Sequence, residues 1–243
     1  MIGLTFDDAS NPKKIAAYLA TFPERPTVRL ICDEPGSGFD WRGMLDAVKI
    51  ISQQANIMMM VCDSYYIKKI SLTEMAARTK RVVDLFGPFI RTVEIGNEIG
   101  GDWLGPLSEV HAKVEVCRKM VPSHLNTAIT WYYDGNDNGL ALMKALGSHT
   151  WKADWHLVSW YPNWGVDTAP DWGSLFRVLQ TLGGSLVGFG EFGEEPKKYL
   201  ASQRIAMIRA QYALGYPGNF YWNARDALRR NQTRVLAALR GDA

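Results

Sequence analysis

Ile57-Met58-Met59-Met60-Val61 is five apolar residues in a row, closed by Cys62-Asp63 and followed, after a short polar stretch, by the amphipathic run Leu72–Leu85. A strand with one face in water alternates apolar and polar side chains. A run that does not alternate suits a parallel strand covered on both faces, with a helix as the return connection. Reading outward from that unit, the same couple recurs along the whole chain. Strands are expected at Ile2–Phe6, Thr27–Cys32, Asn56–Cys62, Thr92–Gly96, Asn126–Trp131, His156–Trp160, Ser185–Gly190 and Gly218–Trp222. Helices are expected at Pro12–Thr21, Trp41–Gln54, Leu72–Leu85, Pro106–Val121, Gly139–Leu146, Trp172–Leu182, Pro196–Leu214 and Arg229–Leu239. Asn11-Pro12 offers an N-cap followed by proline in the first turn, and Ser71-Leu72-Thr73-Glu74 has capping-box spacing.

Eight strand–helix units in 243 residues leave roughly 30 residues for each, close to the least a βαβ repeat needs. The expectation is therefore an α/β chain forming one (β/α)8 TIM barrel over residues 1–243, with short loops and no domain boundary. An open doubly wound sheet is the competitor, but no G-x-G-x-x-G follows the first strand.

Composition narrows the function classes. The chain is 47% hydrophobic and 21% charged, as a packed soluble domain is, and its net charge of +2 is too balanced for a protein that works by neutralising phosphates. Nucleic acid is not expected as a partner, and neither is a membrane, since no apolar run approaches the roughly 18 residues a span requires. The start Met1-Ile2-Gly3-Leu4-Thr5-Phe6-Asp7-Asp8 has no basic segment ahead of an apolar one, so a cytoplasmic location is expected. Cys32, Cys62 and Cys117 have no metal-like spacing and read as reduced, buried thiols.

In such a barrel the chemistry sits where strands end. Strand four ends Val93-Glu94-Ile95-Gly96-Asn97-Glu98-Ile99-Gly100-Gly101, and strand seven ends Val187-Gly188-Phe189-Gly190-Glu191-Phe192-Gly193. The two-residue period puts Gly96 with Glu98 on one face, and Val187 with Phe189 and Glu191 on another, so both carboxyls are expected over the barrel axis. Two facing glutamates suit glycoside cleavage, one protonating the leaving oxygen and the other attacking the sugar carbon. Glu194 and Glu195 are rival nucleophiles in the following loop. Glu94, one layer deeper, reads as part of a buried polar network. Arg29 lies inside an apolar strand and needs an acidic partner: Glu94 or Asp33 for a structural pair, Glu191 for support of a nucleophile.

Asn97-Glu98 after a fourth strand with Glu191 after a seventh resembles the retaining β-glycoside hydrolases of clan A, whose members share the β/α barrel. The resemblance implies Glu98 as acid/base, Glu191 as nucleophile and Asn97 as the residue holding the hydroxyl beside the reacting carbon. It also implies Arg29 and Tyr161 as partners of the nucleophile and Trp222 as the floor under the reacting sugar. The clan's His-x-Tyr after strand six reads Ser159-Trp160-Tyr161 here, and strand three ends Cys62-Asp63-Ser64-Tyr65 where some members carry a histidine.

Seven of the nine tryptophans, Trp41, Trp103, Trp131, Trp160, Trp164, Trp172 and Trp222, fall at or just past strand C-termini. Flat apolar rings suit the C–H faces of pyranoses, so Trp131 and Trp164 join Trp222 as candidate substrate-binding residues. Asp134-Gly135-Asn136-Asp137-Asn138 lacks the closing glutamate of a calcium loop and reads as a polar turn and helix cap. No cofactor or metal is expected. The expected partner is a carbohydrate, the expected state a monomer, and the expected activity double-displacement cleavage of β-glycosidic bonds. The alternative is a sugar-binding or virion-associated barrel without turnover.

Overall fold

The computed structural model describes residues 2–32, 39–137, 139–161, 169–193, 201–222 and 224–242. Eight strands, β1 (Gly3–Phe6), β2 (Thr27–Ile31), β3 (Asn56–Met60), β4 (Thr92–Ile99), β5 (Asn126–Tyr132), β6 (Trp155–Trp160), β7 (Leu186–Gly193) and β8 (Phe220–Trp222), pair in sequence order into a closed barrel. Every pairing is parallel, and β8 closes on β1 through Gly3 opposite Phe220. Around it run α1 (Pro12–Leu19), α2 (Trp41–Ile51), α3 (Leu72–Phe86), α4 (Leu107–Met120), α5 (Leu140–Ser148), α6 (Trp172–Gln180) and α7 (Ala201–Ala213). Two further helices, α8 (Ala224–Arg229) and α9 (Thr233–Leu239), stand where the sequence suggested one over Arg229–Leu239. The chain breaks between them at Asn231, whose φ of 50° is left-handed and cannot continue a helix.

The apolar run that opened the sequence reading splits as its two-sided burial requires. Met58 points into the barrel, where it meets Ala128, Leu157 and Phe220. Ile57, Met59 and Val61 point outward into the layer between strands and helices, with Leu4, Leu30, Val93, Ile129 and Phe189. The caps form as expected. Asn11 accepts from the Lys14 N–H, and Ser71 and Glu74 satisfy each other's backbone N–H in a full capping box, each cap stabilising by about 1 kcal/mol. Cys32, Cys62 and Cys117 are buried, and no disulfide joins any two of them.

Above the apolar floor the barrel interior turns polar. Arg29 of β2, Glu94 of β4 and Thr130 of β5 are all fully buried. Thr130 Oγ1 donates to Glu94 Oε1 at 2.5 Å, and Arg29 grips both oxygens of the same carboxylate, Nε to Oε2 at 2.7 Å and Nη2 to Oε1 at 2.9 Å. This layer supports the mouth.

Outside the barrel, His156 of β6 is buried against Trp131, whose Nε1 donates to His156 Nδ1 at 3.2 Å. Its Nε2 has no hydrogen-bond partner among the described residues, and burial pushes the imidazole down to about 4. The folded state thus excludes a proton that the unfolded chain accepts near pH 6.5, so stability is lost as pH falls from about 6.5 toward 4. The expected loss from this one group is about 3 kcal/mol. Urea unfolding of wild type and His156→Phe across this range should show a shallower acid decline in the variant, although the variant is weaker at pH 7 because the Trp131 N–H is left unpaired.

Candidate active site

Glu98 reaches the mouth by a route that simple alternation does not give. Glu94 points inward, but the pairing of β4 with β5 shifts register between Glu94 and Gly96 and again between Gly96 and Ile99. A side chain added at Gly96 would meet Ile99 and Val114 at 3.1 Å, so Gly96 faces the helix layer and does not share a face with Glu98. Asn97 turns inward, and Glu98 follows in the left-handed region at φ 51°, a conformation that costs a non-glycine residue about 1–3 kcal/mol. Ser64 Oγ, in the short 3-10 turn Ser64–Lys69 after β3, donates to Glu98 Oε2 at 2.7 Å. Ser159 Oγ of β6 donates to Oε1 at 3.1 Å. Ser159, which stands where the resembling clan has the histidine of His-x-Tyr, thus supplies one hydroxyl that holds Glu98, and Ser64, the residue after Asp63, supplies the other.

Glu191 shows the same device on β7. A Cβ at Gly190 would come within 2.6 Å of Thr130 Oγ1, so Gly190 faces the interior, while Phe189 packs outward on Trp172 and Phe176. Uninterrupted alternation would then send Glu191 outward with Phe189. Instead the pairing with β6 slips by one residue, Val158 opposite Phe189 but Ser159 opposite Glu191, and the bulge aims Glu191 inward. Phe189 and Glu191 therefore do not share a face.

The two glutamates sit in different environments. Glu191 Oε2 accepts from Arg29 Nη1 at 2.9 Å, and its Oε1 accepts from the Tyr161 hydroxyl. Arg29 Nη2 also donates to Asn97 Oδ1 at 2.8 Å, so one buried guanidinium ties together Glu94, Asn97 and Glu191. Burial alone would lower the guanidinium's affinity for its proton, but Glu94 and Glu191 outweigh burial and raise it. Burial pushes Glu191 above the usual carboxylate range against the pull of Arg29 and Tyr161. Glu98 has no cation beside it among the described residues. Burial, reinforced by Glu191, pushes it up to about 8, with the Ser64 and Ser159 hydroxyls pulling weakly back. Tyr161 keeps its proton well past the usual tyrosine range because it is buried beside Glu191 and Glu98.

Six sequence candidates thus have clear places: Glu98, Glu191, Arg29, Asn97 and Tyr161 meet at the mouth, and Trp222 ends β8 half-buried, paired with Gly193 two residues past Glu191. Trp131 does not join them. It is fully buried in the helix layer, edge-on to Trp151 at 5.3 Å, because it has the opposite parity to Thr130. Its neighbour Tyr132 takes the inward direction instead, half-buried and paired with Ser159. Trp164, Glu194, Glu195 and Asp33 lie outside the described residues. The tryptophans at strand ends also have a packing explanation that the sequence did not reveal. Trp41 stacks on Phe86 under Arg81, and Trp160 packs on Trp172, which packs on Phe176. Asp137 is a helix cap, accepting from the Gly139 and Ala141 N–H groups. Among the described residues no group of three His, Cys, Asp or Glu is placed to hold a metal ion.

The chain has the fold of the clan A (β/α)8 glycoside hydrolases. It is similar to the Ignisphaera aggregans GH53 catalytic domain at 15% identity, covering 92% of this chain and 80% of that one with a TM-score of 0.53. It is similar to the GH10 structure from Paenibacillus barcinonensis at 14% identity, covering 90% and 82% with a TM-score of 0.56. Saccharomyces cerevisiae Gas2p, in complex with laminaritriose and laminaritetraose, matches at 17% identity over 85% of this chain and 52% of that one, with a TM-score of 0.54. No protein-family model and no curated protein matches the sequence. Identities this low carry the fold alone, and an N-acetylneuraminate lyase from Proteus mirabilis has the same barrel at 12% identity over 98% and 80% with a TM-score of 0.51. Function has to be argued from the side chains.

Proposed function

We propose that the protein is a retaining β-glycoside hydrolase in which Glu191 is the nucleophile and Glu98 the acid/base. The observation that carries this is the unequal treatment of two neighbouring carboxyls. Glu191 has a guanidinium at 2.9 Å and a tyrosine hydroxyl, whereas Glu98 has two neutral hydroxyls and stays protonated up to about pH 8. Burial raises both carboxyls, but only Glu191 has a cation and a tyrosine hydroxyl that favour its anion, and in this reading that difference makes Glu98 the acid and Glu191 the nucleophile.

In the first step Glu191 attacks the anomeric carbon and forms the new C–O bond, while the glycosidic C–O bond breaks and Glu98 gives its proton to the departing oxygen. In the second, water attacks the glycosyl-enzyme, Glu98 takes the water's proton, and Glu191 leaves. Asn97 Oδ1 is committed to Arg29, which leaves its amide N–H groups to bind the hydroxyl next to the reacting carbon. Trp222 is the candidate floor for that sugar. The alkaline limb of turnover should lie near pH 8, where Glu98 loses the proton it must donate.

A panel of aryl β-glycosides and β-linked polysaccharides, with proton NMR of the first product, tests this reading. Retention is expected, and an inverted first product overturns the mechanism. Glu98→Ala should lose about 10²- to 10⁴-fold on substrates with poor leaving groups. It should change the cleavage step little with a dinitrophenyl leaving group, which departs without a proton. Equal loss on both would remove Glu98 from the acid role.

A further inference from the structure

Resting on the roles given to Glu98 and Glu191, we propose that Ser64 and Ser159 are positioning residues for the second step: their hydroxyls hold the Glu98 carboxylate while it stands, without its proton, ready for the water it must deprotonate.

The need comes from where Glu98 stands. Once it has given its proton to the departing oxygen it is an anion inside the mouth, and such an anion needs a cation or donated hydrogen bonds. The guanidinium of Arg29 is committed to Glu94, Asn97 and Glu191. What the described residues bring to Glu98 is one hydroxyl for each oxygen, Ser64 Oγ at 2.7 Å from Oε2 and Ser159 Oγ at 3.1 Å from Oε1, and both serines are buried. The proton that Glu98 donates therefore sits on a lone pair that neither serine occupies.

The backbone holds both hydroxyls in place. Ser64 opens the turn Ser64–Lys69, which Asp63 caps by accepting from the Tyr65 N–H at 2.9 Å and which the buried Lys113 clamps by donating to the Ile67 carbonyl at 2.8 Å. Ser159 pairs in register with Tyr132 on one side and Glu191 on the other, so the slip that aims Glu191 into the mouth also fixes Ser159 beside it. Ser159 stands where the resembling clan has a histidine. An imidazole takes up a proton near neutral pH, whereas a serine hydroxyl donates its hydrogen bond without titrating.

Among the described residues, the titratable groups acting with Glu98 are Glu191 on β7, Asp63 ahead of the turn, Tyr132 at the end of β5 and Tyr161 after β6. Glu191 and Asp63 favour protonated Glu98, and the two serine hydroxyls favour its anion. In the glycosyl-enzyme the charge of Glu191 has gone into the new C–O bond. The hydroxyls then weigh more in keeping Glu98 as the anion that takes a proton from water.

Two measurements test the proposal. A dinitrophenyl glycoside calls on Glu98 only in its second step, because its leaving group departs without a proton. In Ser64→Ala combined with Ser159→Ala, kcat on this substrate should fall about tenfold on the acid side of its profile, and that limb should move up by about one pH unit. KM should fall in proportion, leaving kcat/KM unchanged, and the glycosyl-enzyme should accumulate behind a burst of dinitrophenolate, visible by intact mass. An equal fall in kcat and kcat/KM, or an unmoved kcat, overturns the proposal. The second measurement needs no turnover: the carbon-13 resonance of the Glu98 carboxyl, identified by its loss in Glu98→Gln, is followed with pH in the free enzyme. Its midpoint should rise by about one unit in the double variant, and an unmoved midpoint overturns the proposal. If the midpoint rises but wild type cleaves no glycoside, the hydrolase reading fails and the second-step role with it. If wild type cleaves with retention while midpoint and kcat stay unmoved in the variant, the proposal alone fails.

Discussion

Glu191→Gln should lower turnover on the best aryl glycoside by on the order of 10⁵-fold or more, the scale of losing a nucleophile whose partners act only through it. The substitution suits the site. Glutamine has the same shape, its amide oxygen can still accept from Arg29, and its NH₂ can donate to the Tyr161 oxygen, so the hydrogen bonds now made by Glu191 keep a geometry. What disappears is the negative charge that attacks the anomeric carbon. The thermal midpoint should move by only a few degrees, because Arg29 retains its two contacts with Glu94. Loss of turnover with the fold intact, and with sugar binding retained, separates a hydrolase from a barrel that only binds sugars. Full turnover in this variant would move the nucleophile to another carboxylate, with Glu194 and Glu195 the sequence-adjacent choices.

The barrel was legible because burial on both faces leaves a mark in the sequence: Ile57 to Val61 contains no polar residue, and each such run is followed by an amphipathic stretch. The two glutamates were legible as strand-end carboxyls. Their route to the mouth was not. Counting by twos placed Gly96 with Glu98 and Phe189 with Glu191, yet both pairs are split across the sheet by register shifts that depend on which residues of β5 and β6 lie opposite. A bulge is a property of two strands, and one strand's sequence does not contain it. The same limit explains Trp131. At a strand end, one residue decides whether a ring faces the mouth or the helices, and here Tyr132 has the inward position. Ser64 and Ser159 escaped notice as partners of Glu98 for a different reason. A serine hydroxyl carries no charge and no spacing rule, and only its distance from a carboxylate marks it.

Arg29→Met should destabilise the protein by about 3–5 kcal/mol, and the loss should depend on pH. Arg29 is fully buried and donates to Glu94, Glu191 and Asn97. Methionine fills much of the same volume, so the cost comes from the carboxylates left behind without their cation. Their relief is protonation. Burial already favours protonated Glu191, and without the guanidinium the main pull against it is gone, so the native state binds more protons than the unfolded one and stability falls as pH rises. The gap between wild type and variant should therefore be small near pH 4 and grow toward pH 7, which urea unfolding at several pH values would measure. Arg29→Met combined with Glu94→Gln should recover part of the loss at pH 7, since one of the stranded charges is then gone. Turnover should stay low in that double variant, because Glu191 still lacks the cation that favours its anion. Parallel pH curves for wild type and Arg29→Met would mean that the guanidinium only fills space, and the ionised nucleophile would then need another cause.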